Sequence, residues 1–212
     1  MKRGRRAFTL VEVLTAIAII ATLFALLLPS LSAARAAANR AGTKVRFHEW
    51  GAAIEAFRAE YGYYPQFPAS GLVNDGADGS AGGDHLFHDV LAGRHRDGSA
   101  LAAGGAPLSA AGQNPRFIRF NSFGESEFNS AGLLQDASGG TEIAVLVDTD
   151  LDGFLKPGVD FPALPAVHGA DGSAMTPGPD DFPAAGLRAG VAFYAPDPRA
   201  TAGHPALVLS WK

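Results

Sequence analysis

The hydrophobic and polar positions divide the first third of the chain into two helical patterns. Between Val13 and Ala34, 22 consecutive residues carry no charge and most are apolar. As a helix this run is about 33 Å long, close to the thickness of a bilayer core. Farther along, large apolar residues recur at intervals of four, three and four, the spacing of one helix face. They are Trp50, Ile54, Phe57 and Tyr61. Together the patterns predict one long helix from about Thr9 to Tyr61.

Beyond Tyr64-Pro65, short β-prone runs alternate with long segments rich in glycine, proline and aspartate. The pattern predicts a short helix over 84–91. It also predicts strands over 116–120, 142–147, 187–194 and 206–211, with a Pro/Gly-rich excursion over 154–186. The predicted fold is α+β: a long N-terminal helix, apolar in its first half and amphipathic in its second. It packs on a small antiparallel β-sheet head with long loops.

Charge is distributed unevenly along the chain. Residues 1–7 hold four basic residues and no acidic ones, whereas the remainder holds 13 basic and 21 acidic residues. The whole chain has a net charge of -4, which argues against a general nucleic-acid partner. A basic leader, an apolar helix and an acidic body predict a single membrane pass with the leader cytoplasmic and the body translocated.

Several kinds of chemistry are excluded or unsupported. The chain has no cysteine, so it has no disulfide, thiolate metal site or cysteine nucleophile. Neither a nucleophile elbow nor a phosphate loop is present. His85 and His88 could share one helix face, but no third metal ligand or catalytic base accompanies them, and two surface histidines are expected. We therefore expect no enzymatic activity.

Glu12 is the only charged residue between Phe8 and Ala34. A secretory signal peptide is one interpretation of this segment, with Ala34-Arg35-Ala36 or Ala36-Ala37-Ala38 as its cleavage site. A plain single-pass anchor is another. Neither explains the carboxylate, because a lone charge in lipid costs a few kcal/mol on insertion scales.

The segment Phe8-Thr9-Leu10-Val11-Glu12 resembles the processing site of type IV prepilins and type II secretion pseudopilins. In that family a membrane peptidase cuts directly before a phenylalanine, the new amine is N-methylated, and a glutamate follows at the fifth mature position. Glu12 takes that position here, and Pro29 takes the position of a helix-kinking proline. The family usually has glycine before the cut, whereas this chain has Ala7. The resemblance implies cleavage between Ala7 and Phe8 and methylation of Phe8.

For Glu12 and Pro29 the resemblance implies a role in assembly. Glu12 would pair with the Phe8 amine of a neighbouring subunit and set its axial register, since a buried charge needs a partner. The alternative is that Glu12 lies at the level of the lipid headgroups. The exit of the long helix, Gly62-Tyr63-Tyr64-Pro65, is also similar to that of major pseudopilins.

An acidic turn follows the strongest predicted strand. Asp148, Asp150 and Asp152 alternate along the chain before Gly153, so their oxygens can converge on a hard cation. The twelfth loop position is Val159 rather than the glutamate of an EF-hand, and Asp160, one place later, is a further candidate ligand. Major pseudopilins often bind calcium in their C-terminal loops, so the resemblance supports a calcium site here. The alternative is a solvated acidic turn without an ion.

The resemblance assigns four regions: a basic leader (1–7), a transmembrane and filament-core helix (8–34), its amphipathic continuation (35–62) and a periplasmic head (63–212). It implies a structural subunit of a type II secretion-like pseudopilus in the bacterial inner membrane, assembled into a filament that drives protein export. Its partners would be other copies, minor pseudopilins, the prepilin peptidase and methyltransferase, and an inner-membrane assembly platform. A type IV pilin for adhesion, motility or DNA uptake is the nearest alternative. A membrane-anchored extracytoplasmic binding or enzyme domain is a more distant one.

Overall fold

The computed structural model describes residues 9–77, 79–80, 83–200 and 203–212. The chain divides into two compact units, Met1–Ala38 and Asn39–Lys212. Helix α1 is Leu10–Tyr61 and contributes residues to both units. The long helix predicted from the apolar spacing is confirmed, and helical structure continues through position 29. The predicted bend at Pro29 and the predicted region boundaries stay predictions.

The two ends of α1 follow from local chemistry. At the start, the Thr9 backbone N–H and Oγ1 both donate to Glu12 Oε2 at 2.8 Å, and the Glu12 N–H donates to Thr9 Oγ1 at 3.2 Å. This reciprocal arrangement is a capping box. At the end, Gly62 has a φ of 80° and donates its N–H to the Arg58 carbonyl at 2.7 Å. A left-handed glycine is the usual way to close a helix.

In the first unit, α1 contains a stretch that is long and apolar enough to cross a membrane by length and composition. No part of its 18-residue window is buried. The large apolar side chains from Leu10 to Leu31 are exposed instead. This surface therefore needs lipid or neighbouring chains to cover it.

In the second unit, the apolar face of α1 forms the centre of the core. Phe47, Trp50, Ile54 and Phe57 are each at most 1% exposed. Trp50 makes an edge contact with Phe193, at 5.9 Å between ring centroids, and Phe47 stacks on the same ring at 5.4 Å. The predicted intervals from Trp50 to Phe57 are therefore those of the buried face, and Phe47 extends it by one turn.

The main sheet has three antiparallel strands. They are β1 (Ala144–Val147), β4 (Val191–Pro196) and β5 (Leu207–Leu209), in the order β1-β4-β5. Val145 pairs with Phe193, and Tyr194 pairs with Leu209. A second sheet, unpredicted, is the hairpin of β2 (Val167–His168) and β3 (Ala174–Met175). Helix α2 is Leu86–Ala92 and α3 is Ala110–Gln113.

Each face of the main sheet has its own cover. Val145 and Phe193 pack in the cluster that contains the buried face of α1. Leu146 and Tyr194 belong to a second cluster with Leu155, Val167 and Met175, which come from the long excursion after β1. The Pro/Gly-rich segment is therefore a packed layer rather than a free loop. It also fixes the path of the chain immediately after β1, where the acidic turn lies.

Two strand predictions need correction. The run 116–120 forms no strand, because the Asn114 side chain bonds both the N–H and the carbonyl of Ile118, at 2.9 and 2.7 Å. This local closure sets Phe117 at a φ of 51°. The strand predicted over 187–194 is β4 and begins later, because Leu187 pairs instead with Leu155 in an isolated bridge.

Candidate functional site

The structure brings the three predicted loop carboxylates together. One oxygen each of Asp148, Asp150 and Asp152 lies within 4.8 Å of the others. Leu151 and Gly153 have positive φ values of 63° and 87°, and these two left-handed residues turn the chain sharply enough for the oxygens to converge. Asp148 is 1% exposed, while Asp150 and Asp152 are open to solvent.

Asp148 is the unusual member of the group. Its Oδ2 accepts the Gly153 N–H at 2.8 Å, but its Oδ1 is buried and has no hydrogen-bond partner among the described residues. Burial raises the pKa of the Asp148 carboxyl, the Gly153 N–H opposes this, and the nearby Asp150 carboxyl raises it further. A buried carboxylate oxygen without a donor is costly, so the site favours either a proton or a cation there.

Asp160 and Lys156 brace this loop from the outside. The Asp160 carboxylate accepts the Thr149 N–H and the Lys156 N–H, both at 2.8 Å. The structure therefore places Asp160 as a support of the loop and not among the three converging carboxylates. The Lys156 ammonium pairs with Asp152 and holds the pKa of that carboxyl below its usual range. A bound cation would compete with this ammonium.

The prediction of two surface histidines is wrong. His85 and His88 are 6% and 5% exposed, and they lie beside Asp89, which is 1% exposed. The Asp89 carboxylate bonds His88 Nδ1 at 2.7 Å and His95 Nδ1 at 3.0 Å, and it accepts the His85 N–H at 3.2 Å. Burial lowers the pKa of His85 to about 4. These groups form a buried hydrogen-bonded cluster.

His95 could not be assigned to this cluster from the sequence. Gly93 ends α2 with a φ of 68°, and a Cβ there would meet the Phe117 carbonyl oxygen at 2.5 Å. The chain therefore reverses at Gly93 and brings His95 back to Asp89. One atom each of Asp84, Asp89 and His95 also lies within 4.8 Å, although both Asp89 oxygens already accept hydrogen bonds.

At the N-terminus, the structure shows Glu12 bound by Thr9 in the capping box. Ala7 and Phe8 lie outside the described residues, so the predicted cleavage site is not placed. Pro29 lies within α1. The Thr-x-x-Glu spacing of residues 9–12 is the sequence signal of this capping box.

Residues 2–28 match the prokaryotic N-terminal methylation motif. The chain carries a prepilin-type N-terminus. This is the cleavage motif of type IV pilins and pseudopilins, and it implies processing by a prepilin peptidase and assembly into a membrane-associated filament. Neither a curated protein nor a solved structure matches the chain. The matched segment covers 27 of the 212 residues, and all of them belong to the first unit.

Proposed function

We propose that this protein is a body subunit of a type II secretion-like pseudopilus. It is cut between Ala7 and Phe8, stored in the inner membrane with its head in the periplasm, and assembled with other copies and minor pseudopilins into a short helical filament. Growth of the filament drives protein export. The subunit has no active site of its own. The observation that carries the proposal is the prepilin-type segment, with Glu12 at the start of an uncovered apolar helix.

The exposed apolar surface of α1 supports assembly. The large apolar side chains described from Leu10 to Leu31 are exposed, and burying apolar surface yields about 25 cal/mol per Å². Lipid can cover this surface in the stored form, and neighbouring copies can cover it in the filament. The same residues therefore serve both states.

Glu12 supplies what the apolar surface lacks, which is a fixed position along the filament axis. In the single subunit, both hydrogen-bond donors of Thr9 point at Glu12 Oε2. These two hydrogen bonds stabilise the Glu12 carboxylate within its own chain. In a filament, the positive amine of a cleaved Phe8 on a neighbour can neutralise it, whereas an uncut leader offers no such amine.

Three features favour a pseudopilus over a type IV pilus. Many type IV pilins close a C-terminal loop with a disulfide, and this chain has no cysteine. The Tyr-Pro exit of α1 is similar to that of major pseudopilins. Minor tip subunits can lack the glutamate at the fifth position, so Glu12 favours a subunit of the filament body.

The acidic loop fits a structural calcium ion. Calcium takes six to eight hard oxygen ligands, often from alternating carboxylates. Asp148, Asp150 and Asp152 converge within 4.8 Å, and Asp148 Oδ1 is buried with no partner in the part of the chain that the structure describes. An ion there would complete the loop between β1 and the layer that covers the sheet.

The test is a filament assay in cells that carry either a type II secretion platform or a type IV pilus platform. We expect filaments with the first and not the second. Glu12→Ala should insert in the membrane normally but reduce filament yield at least about tenfold, since a charge-assisted bond contributes about 1.5–3 kcal/mol. Thr22→Ala, on the same apolar stretch, is the control and should assemble. Normal yield from Glu12→Ala would contradict the proposal.

A further inference from the structure

A second site lies in the head, away from the acidic loop. A pocket of about 260 Å³ is lined by Arg94, Arg96, Arg119, His88 and His95, with Asp97 at the same wall. The lining therefore contains three arginines and one aspartate. The unit to which the pocket belongs, residues 39–212, has 12 basic and 20 acidic residues. Such a concentration of positive charge in an acidic unit needs an explanation.

The two walls of the pocket are fixed to each other by the backbone. One wall is the segment 94–98 that follows α2, and the other is the segment 119–123. The N–H groups of Phe120 and Asn121 both donate to the Leu91 carbonyl, at 2.8 and 3.0 Å. The pocket is therefore preformed by main-chain bonds rather than by its charged side chains.

The Arg96 side chain already has partners within the protein, which distinguishes it from Arg94 and Arg119. The Arg96 guanidinium lies 4.3 Å from the centre of the Phe128 ring and donates to Glu125 Oε2 at 2.7 Å. Within the described part of the chain, Arg94 and Arg119 make no hydrogen bond or ion pair. Their guanidinium groups come from opposite walls and remain available to one ligand.

The buried carboxylate of Asp89 orients the two imidazoles. Both rings turn their Nδ1 atoms to Asp89, His88 at 2.7 Å and His95 at 3.0 Å. This leaves Nε2 on the opposite side of each ring, and in the described residues neither Nε2 has a hydrogen-bond partner. A carboxylate that fixes an imidazole by one nitrogen and leaves the other for a ligand is a recurrent binding arrangement.

We propose that this pocket binds a phosphate group, either as inorganic phosphate or as a phosphomonoester. Guanidinium groups bind phosphate oxygens with paired, charge-assisted hydrogen bonds. An imidazole Nε2 accepts a hydrogen bond from a protonated phosphate oxygen when the ring is neutral, and donates to an unprotonated one when the ring is charged. A phosphate group has more acceptor oxygens than a carboxylate and directs them tetrahedrally, so it can accept from more donors of the two walls at once. The nearby guanidinium groups disfavour a metal cation.

The proposal is tested by calorimetric titration of the full-length chain in a maltoside detergent, at fixed pH and ionic strength. Inorganic phosphate, glycerol phosphate, acetate and zinc chloride are titrated separately. We expect saturable one-site binding of phosphate, with acetate at least about tenfold weaker. Binding of glycerol phosphate as well would show that the pocket recognises a phosphate group on a larger molecule. Binding of inorganic phosphate alone would assign the free ion.

Variants locate the binding. Arg94→Gln/Arg119→Gln removes two exposed cations and should weaken phosphate binding at least about tenfold. Arg188→Gln removes another exposed arginine, one that is not part of the lining, and it should bind phosphate as the parent does. Three results would overturn the proposal: no saturable phosphate binding, equal effects of the two variants, or zinc binding in place of phosphate. None of these results depends on filament assembly. The phosphate proposal is therefore tested independently of the pseudopilin function.

Discussion

The hydroxyl of Tyr64 donates a 2.8 Å hydrogen bond to Glu55 Oε1, which ties the Tyr-Pro exit of α1 back to the helix it leaves. The Tyr64 ring is 4% exposed, and the Arg58 guanidinium lies 5.0 Å from its centre. Gly190, the residue before β4, leaves the space for the hydroxyl, because a Cβ there would meet Tyr64 Oη at 1.8 Å. The sequence motif at this exit is therefore a three-part contact between α1, the exit and the sheet.

Tyr64→Phe should lower the free energy of unfolding of the head by about 0.5–1.5 kcal/mol, because it removes one hydrogen bond and keeps the ring. Tyr64→Ala should lower it by about 3–5 kcal/mol, because it also empties a packed site. Chemical denaturation followed by tryptophan fluorescence measures both. Equal effects of the two variants would show that the ring contributes nothing to packing.

The second prediction concerns processing. Mass analysis of the membrane-extracted chain should show a mature protein that begins at Phe8 and carries one added methyl group. Ala7→Gly should increase the processed fraction, since glycine is the usual residue before the cut. A chain that begins near Ala37, or that stays uncut in cells with an active prepilin peptidase, would return the segment to the signal or anchor interpretation.

The third prediction concerns calcium. Calcium at a hundred times its dissociation constant should stabilise the head by about 2.7 kcal/mol. Asp148→Asn should abolish that gain. Without calcium the same variant should be as stable as the parent or more so at neutral pH. The raised pKa of Asp148 means that the folded state binds its proton more tightly, so ionisation of this group with rising pH destabilises the fold.

The matched control for this experiment is Asp180→Asn, which neutralises an exposed carboxylate outside the loop. Melting temperatures with and without calcium, and with magnesium in its place, measure the effect. Equal calcium responses of the two variants would show that calcium binds at another site or does not bind.

The fourth prediction concerns pH. Burial lowers the pKa of His85 to about 4, against an ordinary value of 6.5. The unfolded chain therefore binds a proton that the folded chain does not, and stability falls as pH drops through the window from about 6.5 to about 4. The full loss is about 3 kcal/mol. Denaturation midpoints measured across this window should show the decline.

His85→Asn keeps a side chain suited to the start of α2 and removes the titrating group. Its stability should be flatter than that of the parent between pH 6.5 and 4. His48→Asn replaces an exposed histidine of α1 and should retain the parent slope. The same slope in all three proteins would assign the acid sensitivity to other groups.

The parts of the fold that the sequence predicted are those set by local periodicity. The spacing of Trp50, Ile54 and Phe57 predicts a buried helix face, because it alone places the three side chains on one side of the helix. The carboxylates at 148, 150 and 152 are equally local, since one turn is enough to bring them together. For these elements the neighbouring residues in sequence are also the neighbours in space.

The failures have long-range causes. His88 and His95 are seven residues apart in sequence, and only the reversal at Gly93 against Phe117 brings both rings to Asp89. The phosphate pocket needs that reversal and also Arg119 from another segment. The β2–β3 hairpin has two residues per strand, too few for alternation to be recognised. Its position depends on the sheet face that it covers.

The packing of the main sheet also protects the protein against aggregation through its strand edges. Both faces of β1 and β4 are packed. The outer edge of β1 is partly closed, because the Val145 N–H donates to the Gly71 carbonyl and the Val73 N–H donates to the carbonyl of Ile143, just before the strand. The opposite edge belongs to β5, which has only three residues. Short or covered edges resist the strand-to-strand addition that leads to amyloid. If the chain assembles through its apolar helix, as proposed, its sheet edges therefore offer little opportunity for a competing aggregation of the heads.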